Sequence, residues 1–220
     1  MGIYIQITNR CNMTCEHCAF ACTTKGKDMT QETFNQAIEL AIEYNQEITI
    51  GGGEPTLHPL FKDFMSHAIW EMAGISNEFD SPAVNIITNG SNTKIAIKLA
   101  SLARMGTIIA SLSKDQYHDL VDPSVYKAFT KPIKNRVINN HDFREIRTVT
   151  HIIAAGRAKS WTEKHKDYNC PCENVFITPL GNIYACGCKK TKINRTDITS
   201  DHFFGYCENS HDFKQETQYA

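Results

Sequence analysis

The chain has 220 residues, of which 41% are hydrophobic, and this is enough for one folded domain with a small appendage. It has no apolar run of about 18 residues and no basic-then-apolar leader, so we expect neither a membrane span nor a secretion signal. The net charge of −1 hides a basic segment, residues 127–195, with 14 Lys and Arg against 5 Asp and Glu. This segment indicates either an anionic partner, such as a phosphate or a nucleic acid, or a solvated face that balances the acidic remainder.

A cysteine array follows the first predicted strand, which spans residues 3–8. Cys11, Cys15 and Cys18 have C-x3-C-x2-C spacing, and the chain has nine cysteines in all. Without a secretion signal, so many cysteines favour a cytoplasmic protein with metal or redox chemistry over a disulfide framework. Three thiolates on one loop can hold an Fe4S4 cube and leave its fourth iron without a protein ligand. Zinc or a cluster of reduced thiols is the alternative.

Strand and helix patterns alternate along the rest of the chain. We predict strands at residues 47–50, 84–87, 107–112 and 145–153, and helices at 30–45, 60–72, 93–104 and 123–131. Gly74 is expected to stop the second helix. This alternation predicts an α/β fold with a parallel sheet and right-handed crossovers. Residues 159–169 have the composition of a linker, and residues 175–178 and 182–185 are predicted to form a β-hairpin.

Five short motifs directly follow predicted strands. They are the cysteine loop, Gly-Gly-Gly-Glu at 51–54, Thr-Asn-Gly at 88–90, Ser-Leu-Ser at 111–113 and Gly-Arg-Ala at 156–158. Because the carboxyl ends of parallel strands share one edge of the sheet, we expect these motifs to converge on one rim.

The cysteine array, Gly-Gly-Glu after the second strand and Thr-Asn-Gly after the third together resemble the radical S-adenosylmethionine (SAM) enzymes. The resemblance covers residues 1–158 well and 170–188 in outline. It implies a partial (β/α) barrel with a small C-terminal cysteine-bearing β-hairpin. The radical SAM core would span residues 1–158, and residues 159–220 would form a linker and an auxiliary-cluster region. It also implies an Fe4S4 cluster on Cys11, Cys15 and Cys18, with SAM chelated on the open iron.

The resemblance assigns residues to SAM at the ends of the first four strands. His17 stands where the family usually has an aromatic residue near the adenine. The Gly-Gly-Glu turn would receive the methionine amino group, and polar groups after the fourth strand would reach the ribose. The residues assigned in this way are His17, Gly52, Gly53, Glu54, Thr88, Asn89, Ser111, Ser113 and Asp115.

Four further residues are candidates for catalysis. Tyr117 and His118 belong to an Asp-x-aromatic-His run that resembles one in some small family members, although a loop with a half-buried tyrosine and a capping Asp is an equal alternative. Arg157 has a guanidinium that would suit the SAM carboxylate or a substrate anion. Cys207 would complete a site or donate a hydrogen atom to a radical.

A second group of cysteines flanks the predicted hairpin, namely Cys170, Cys172, Cys186 and Cys188. It resembles the auxiliary-cluster element of the twitch and SPASM subgroups and implies a second Fe4S4 cluster. A zinc site and free thiols are the alternatives. Cys22 belongs to neither group and is expected to be a small buried or exposed thiol.

The activity implied by the resemblance is reductive cleavage of SAM to a 5′-deoxyadenosyl radical, which takes a hydrogen atom from the substrate. The basic segment favours a phosphate-bearing substrate, a nucleotide or a base in DNA, as in phage-type thymidine hypermodification by an isomerase. The alternatives are a twitch-type enzyme that modifies a ribosomal peptide, a glycyl-radical activase, and a non-catalytic Fe–S or zinc module. The expected electron donor is a flavodoxin or a ferredoxin.

Overall fold

Eight strands form one sheet in the computed structural model of the chain, in the order β5-β4-β3-β2-β1-β6-β7-β8. The structure describes residues 2–132, 141–148, 152, 155–163, 175–189 and 191–199, with the side chains of residues 160–163 excepted. The strands are β1 Gly2–Thr8, β2 Glu47–Gly52, β3 Val84–Thr88, β4 Ile109–Ser113, β5 Arg144–Arg147, β6 Val175–Ile177, β7 Ile183–Tyr184 and β8 Lys192–Ile193. The helices are α1 Gln31–Glu43, α2 Phe61–Glu71, α3 Ala73–Phe79, α4 Thr93–Arg104 and α5 Pro123–Thr130.

The first six strands run parallel, and β7 and β8 are added to β6 as antiparallel strands. This topology confirms the predicted α/β fold and is consistent with a partial barrel. The predicted C-terminal hairpin is present as β6 and β7. It is not an isolated appendage, because β6 pairs with β1 through Ile3 and Val175, Tyr4 and Phe176, and Ile5 and Ile177.

Alternation along the strands gives the sheet two different faces. Ile3, Ile5 and Ile7 of β1 are no more than 1% exposed and belong to the core between the sheet and the helices. Each such side chain contributes about 2 kcal/mol by leaving water. The intervening side chains of β1, Tyr4 and Gln6, lie on the other face. The same alternation in β2 to β6 produces a face that is largely polar, and the candidate site lies there.

Local signals set the helix boundaries where the sequence predicts them. Thr30 caps α1 by accepting a hydrogen bond from the backbone N–H of Thr33 at 3.2 Å. Asn92 caps α4 in the same manner through Ile95 N–H at 3.3 Å.

α2 ends at Glu71, within one residue of the predicted end at residue 72, but Gly74 does not stop the chain from being helical, because a further helix, α3, begins at Ala73 and contains it. The apolar contact of Ile75, which is 7% exposed, holds this additional helix against the core and outweighs the weak helix propensity of glycine. β5 covers Arg144–Arg147, and residues 149–151 and 153 of the strand predicted at 145–153 lie outside the described residues. No helix in the described part of the chain is both long and apolar enough to cross a bilayer.

Candidate functional site

A cavity of about 630 Å³ opens at the carboxyl ends of the parallel strands. Its walls come from the cysteine loop after β1, from the ends of β2 to β6, and from the segments that carry Arg157 and Gly187. Side chains on the polar face of the sheet, such as Tyr4, Thr49 and Asn85, form its floor. The five motifs predicted to follow strands therefore meet at one rim. The cysteine loop and each of the other four motifs contribute at least one residue to the lining of the cavity.

The cysteine loop places four cysteines on this cavity, namely Cys11, Cys15, Cys18 and Cys22. Burial and the nearby Cys11 raise the pKa of the Cys15 thiol to about 11. A hydrogen bond from Cys22 lowers the pKa of Cys18 to about 5 despite the opposing effect of burial. Cys18 is therefore the thiol of this loop that is most easily ionised.

Arg157 holds the cysteine loop through hydrogen bonds to its backbone carbonyl oxygens. Its Nε donates to the carbonyl oxygen of Cys15 at 2.9 Å, its Nη1 to that of Cys22 at 2.5 Å, and its backbone N–H to that of Cys18 at 3.0 Å. The preceding Gly156 has a φ of +58°, and a Cβ there would lie 2.5 Å from the Cys18 oxygen. The Gly-Arg pair thus brings the chain close enough to hold the loop, and the guanidinium predicted to meet an anion is engaged with backbone carbonyls.

The glycine turn after β2 packs its backbone against the start of the same loop. Gly53 N–H donates to the carbonyl oxygen of Thr8 at 2.8 Å, and Glu54 N–H donates to the carbonyl oxygen of Arg10 at 2.8 Å. A Cβ on Gly53 would lie 2.2 Å from that oxygen, so only glycine allows this approach. Gly52 and Gly53 line the cavity as a result.

Glu54 is fully buried and is not among the described residues that line the cavity. Its Oε1 accepts hydrogen bonds from the hydroxyls of Thr56 at 2.6 Å and Thr88 at 2.8 Å, and from Thr56 N–H at 3.1 Å. Its Oε2 accepts from Asn89 N–H at 2.6 Å. Burial raises the pKa of the carboxyl, and these hydrogen bonds oppose that rise. Glu54 therefore ties the end of β2 to the end of β3.

Asn89 joins the Thr-Asn-Gly turn to the cysteine loop. Its Nδ2 donates to Asn12 Oδ1 at 3.2 Å and approaches Cys11 Sγ at 3.8 Å. Ser113, the last residue of β4, lines the cavity, whereas Ser111 of the same strand is buried and is not a lining residue. The hydroxyl of Ser111 donates to Glu145 Oε2 at 2.9 Å, so it orients a side chain of the cavity wall without reaching the cavity.

His17, Asp115 and His118 form a cluster at one side of the cavity, with one nitrogen or oxygen atom of each within 4.8 Å of the others. Asp115 Oδ1 lies 2.9 Å from His118 Nδ1 and accepts from Tyr117 N–H at 2.8 Å. Burial acts to raise the pKa of Asp115, but the hydrogen bonds from His118 and Tyr117 outweigh it and leave the pKa lowered. Burial lowers the pKa of His17.

Two atoms of this cluster have no hydrogen-bond partner. His17 Nδ1 and Asp115 Oδ2 are the buried side-chain nitrogen and oxygen atoms of the described residues that lack a hydrogen-bond partner. Because such atoms are costly unless they are paired, their occurrence in one cluster indicates a place for a polar ligand. The Tyr117 ring packs on His17 with centroids 4.8 Å apart, but Tyr117 does not line the cavity.

An aromatic wall on the side of β1 and β6, with a lysine over its rings, was not predicted from the sequence. Tyr4 stacks on Phe176 with ring centroids 5.2 Å apart, and Phe20 lies 5.0 Å from Phe176. The Nζ of Lys189 is 4.9 Å from the Phe176 centroid. Tyr4 could have been identified from its position between the core residues of β1, but Phe176 and Phe20 come from segments far apart in the sequence.

The second cysteine group is described only in part. Cys170, Cys172 and Cys207 lie outside the described residues. The sulfur atoms of Cys186 and Cys188 are 2.7 Å apart, and Gly187 between them lines the cavity. Cys11, Cys15, Cys18 and Cys22 are free thiols.

Comparisons with known proteins agree with this architecture. A family model described as the radical SAM superfamily matches residues 5–163. An S-adenosylmethionine-dependent nucleotide dehydratase from Thermoplasmatales archaeon (strain ISO4-H5) is 35% identical over 88 residues, which are 40% of this chain. The match spans only 28% of that relative's length.

Two solved structures share the fold. BtrN in complex with AdoMet and 2-DOIA is similar with a TM-score of 0.55 and 17% identity, over 98% of this chain and 85% of BtrN. The anSMEcpe structure with bound AdoMet and Kp18Cys peptide has a TM-score of 0.53 and 15% identity, over 97% of this chain and 81% of that one. At these identities the likeness concerns the fold, and it supports the partial barrel.

Proposed function

Because the chain belongs to the radical SAM superfamily, whose model covers residues 5–163, we propose that its cavity holds an Fe4S4 cluster and SAM side by side. Cys11, Cys15 and Cys18 would bind three irons. When bound, these cofactors supply a 5′-deoxyadenosyl radical, formed as one electron from the reduced cluster breaks the C5′–S bond of SAM, and this radical takes a hydrogen atom from the substrate.

The residues of the cavity fit both cofactors. Thiols are the usual ligands of such clusters, and three of them open on one cavity here. His17 Nδ1 and Asp115 Oδ2 would be satisfied by adenosine, which offers ribose hydroxyls and an exocyclic amino group. The convergence of three thiols and two unpartnered buried atoms on one cavity is the observation that carries the proposal.

For the methionine end of SAM, we propose a divided role for the Gly-Gly-Glu turn. Gly52 and Gly53 line the cavity, and their backbone carbonyls would accept hydrogen bonds from the ammonium group. Glu54, whose carboxylate already accepts four hydrogen bonds, would position these glycines. Its negative charge would attract the ammonium group without direct contact. Thr88 and Asn89 are held by the same carboxylate and would border the adenosine.

Anaerobic reconstitution with iron and sulfide, followed by reduction in the presence of SAM, tests the cofactor assignment. We expect 5′-deoxyadenosine in the wild-type protein, measured by chromatography, and none in Cys15→Ala. The matched control is Ser101→Ala, which removes one polar atom from the exposed face of α4, away from the cavity. Wild-type protein that binds its cluster but forms no 5′-deoxyadenosine would contradict the proposal.

We propose a phosphate-bearing substrate, a nucleotide or a base in nucleic acid, for an isomerase or oxidoreductase reaction. Arg147 lines the cavity at the end of β5, and its guanidinium makes no hydrogen bond or ion pair with the described part of the chain. Such a group is suited to a phosphate. The relative named as a nucleotide dehydratase and the basic segment that contains Arg147 support the same class.

The substrate proposal is tested by the compounds that stimulate 5′-deoxyadenosine formation. Ribonucleoside triphosphates, deoxythymidine monophosphate, duplex DNA and a pool of ribosomal peptides would be compared. We expect stimulation by one of the phosphate-bearing compounds, loss of about tenfold in apparent affinity for Arg147→Met, and less loss for Arg147→Lys. Binding that does not weaken with salt, or stimulation by peptides alone, would contradict a phosphate-bearing substrate.

We further propose that Cys186 and Cys188 join Cys170 and Cys172 in a second Fe4S4 cluster within a C-terminal region that begins near residue 159, with zinc as the alternative metal. Cys186 and Cys188 lie on either side of Gly187, which lines the cavity, and this placement in one turn supports a shared metal site. Iron and zinc analysis of a Cys186→Ala/Cys188→Ala variant distinguishes the two metals. We expect a reducing compartment such as the cytoplasm, with a flavodoxin or ferredoxin as electron donor, because nine cysteines in one chain favour metal or redox chemistry over disulfides.

A further inference from the structure

Cys22 is the cysteine of the first loop that the proposed triad does not use. It is 1% exposed and lines the same cavity as the triad. Its sulfur accepts a hydrogen bond from Gln6 Nε2 at 3.6 Å. Cys22 packs in one buried cluster with Cys11, Cys15 and Cys18, so it stands between the Gln6 amide and the proposed iron ligands.

Lys189 stands at the outer end of the same series of contacts. Its Nζ donates to Gln6 Oε1 at 3.4 Å and lies over the rings of Phe176 and Phe20. Gln6 is itself 1% exposed, on the polar face of β1. Both ends of its amide are therefore engaged, with the oxygen accepting from Lys189 and the nitrogen donating to Cys22.

Both hydrogen bonds of this series are directed toward Cys22, and so toward the proposed iron ligands that pack beside it. A positive charge at Lys189 polarises the Gln6 amide, which polarises the Cys22 thiol, and hydrogen bonds aligned in this way reinforce one another in a buried setting. Hydrogen bonds and positive charge near a cluster sulfur stabilise the reduced cluster, which carries one more negative charge than the oxidised one.

We propose that Lys189, Gln6 and Cys22 form a hydrogen-bond chain that raises the reduction potential of the cluster bound by Cys11, Cys15 and Cys18. The inference rests on the proposed function for the presence of that cluster. In this role Cys22 is a positioning residue. It does not bind iron, and it acts on the cluster through the triad cysteines that it packs against.

The test is a redox titration of the reconstituted wild-type protein and its variants, monitored by EPR. The signal to measure is that of the reduced cluster whose spectrum changes when SAM is added. This choice of signal separates the SAM-binding cluster from any second cluster. We expect Cys22→Ala and Lys189→Met each to make reduction about tenfold less favourable, a shift of about −59 mV for a one-electron couple. Cys22→Ser, which retains a donor, should restore most of the shift.

Lys192→Met is the matched control, because Lys192 is an exposed lysine of the same segment and should leave the potential unchanged. Iron counts and circular dichroism accompany each variant. Potentials of Cys22→Ala and Lys189→Met equal to that of Lys192→Met would overturn the inference, as would loss of an iron from Cys22→Ala. If Cys22→Ala does not fold, the reduction potential of Lys189→Met, compared with that of Lys192→Met, tests the inference. Failure of the wild-type protein to assemble the cluster would contradict the proposed function instead.

Discussion

His58 follows the short helical turn after β2, and both of its ring nitrogens are hydrogen-bonded in a buried setting. Nδ1 accepts from Leu60 N–H at 3.0 Å, so Nε2 carries the proton and donates to the carbonyl oxygen of Met29 at 3.0 Å. A second proton on the ring would displace the bond from Leu60. Burial accordingly lowers the pKa of His58 below its ordinary value.

This lowered pKa predicts a loss of stability in mild acid. The unfolded chain takes up a proton at His58 near pH 6.5, whereas the folded chain resists it to lower pH, so the unfolded state binds more protons in that window. Stability attributable to His58 is thus complete above about pH 6.5 and falls as the pH drops. Urea unfolding at about pH 7.5 and about pH 5.5 measures it. His58→Asn, which keeps an acceptor near Nδ1, should lose less between the two pH values, and equal losses would contradict this account.

At the scale of elements, the cysteine loop owes its position to segments distant in sequence. Arg157 and Gly156 hold it from one side, and the glycine turn after β2 holds it from the other. The loop itself has few regular hydrogen bonds, and Cys11 N–H to Thr23 at 2.8 Å is one of them. Its geometry therefore depends on how closely the neighbouring backbones approach.

Two glycine-to-alanine variants should move stability in opposite directions. Gly156→Ala places a Cβ 2.4 Å from the Ala19 oxygen on a residue with positive φ, and we expect a loss of about 3 kcal/mol in the free energy of unfolding. Gly74→Ala puts a Cβ where nothing lies within 4 Å, inside α3, and should gain up to about 1 kcal/mol. Urea denaturation of both variants provides the measurement. A neutral Gly156→Ala would show that the loop can move away without cost.

At the scale of the whole molecule, the C-terminal segment completes the sheet of the core. Val175 and Ile177 of β6 are buried beside β1, and the Tyr44 hydroxyl at the end of α1 donates to the carbonyl oxygen of Ile198 at 2.9 Å. Removing β6 would leave the edge of β1 unpaired. The segments before residue 158 and after residue 174 thus share one hydrophobic core.

We therefore expect β6 to unfold together with β1. In native-state hydrogen exchange, the slowest amides of β6 and of β1 should open with free energies that agree within about 1 kcal/mol. Equal urea dependence of the two sets would support one cooperative unit. Amides of β6 that exchange much faster than those of β1, with a weak dependence on urea, would show instead that the C-terminal region is a separate unit.

The order of strands and helices was predictable because it depends on local patterns. Alternation identifies Ile3, Ile5 and Ile7 as core residues, and the motifs after the strands predict which edge carries the site. The helix that contains Gly74 was not predictable, because the long-range packing of Ile75 decides it.

The amino-acid sequence by itself determined the family, the fold class and the position of the cysteine loop, since these depend on spacing along the chain. Only the tertiary structure decided how individual polar groups are used. Glu54 bonds to the turn after β3, Arg157 to the loop carbonyls, and Lys189 to Gln6. Each partner lies 35 or more residues away in sequence, and a hydrogen bond over that separation is set by the packing of the sheet rather than by any local signal.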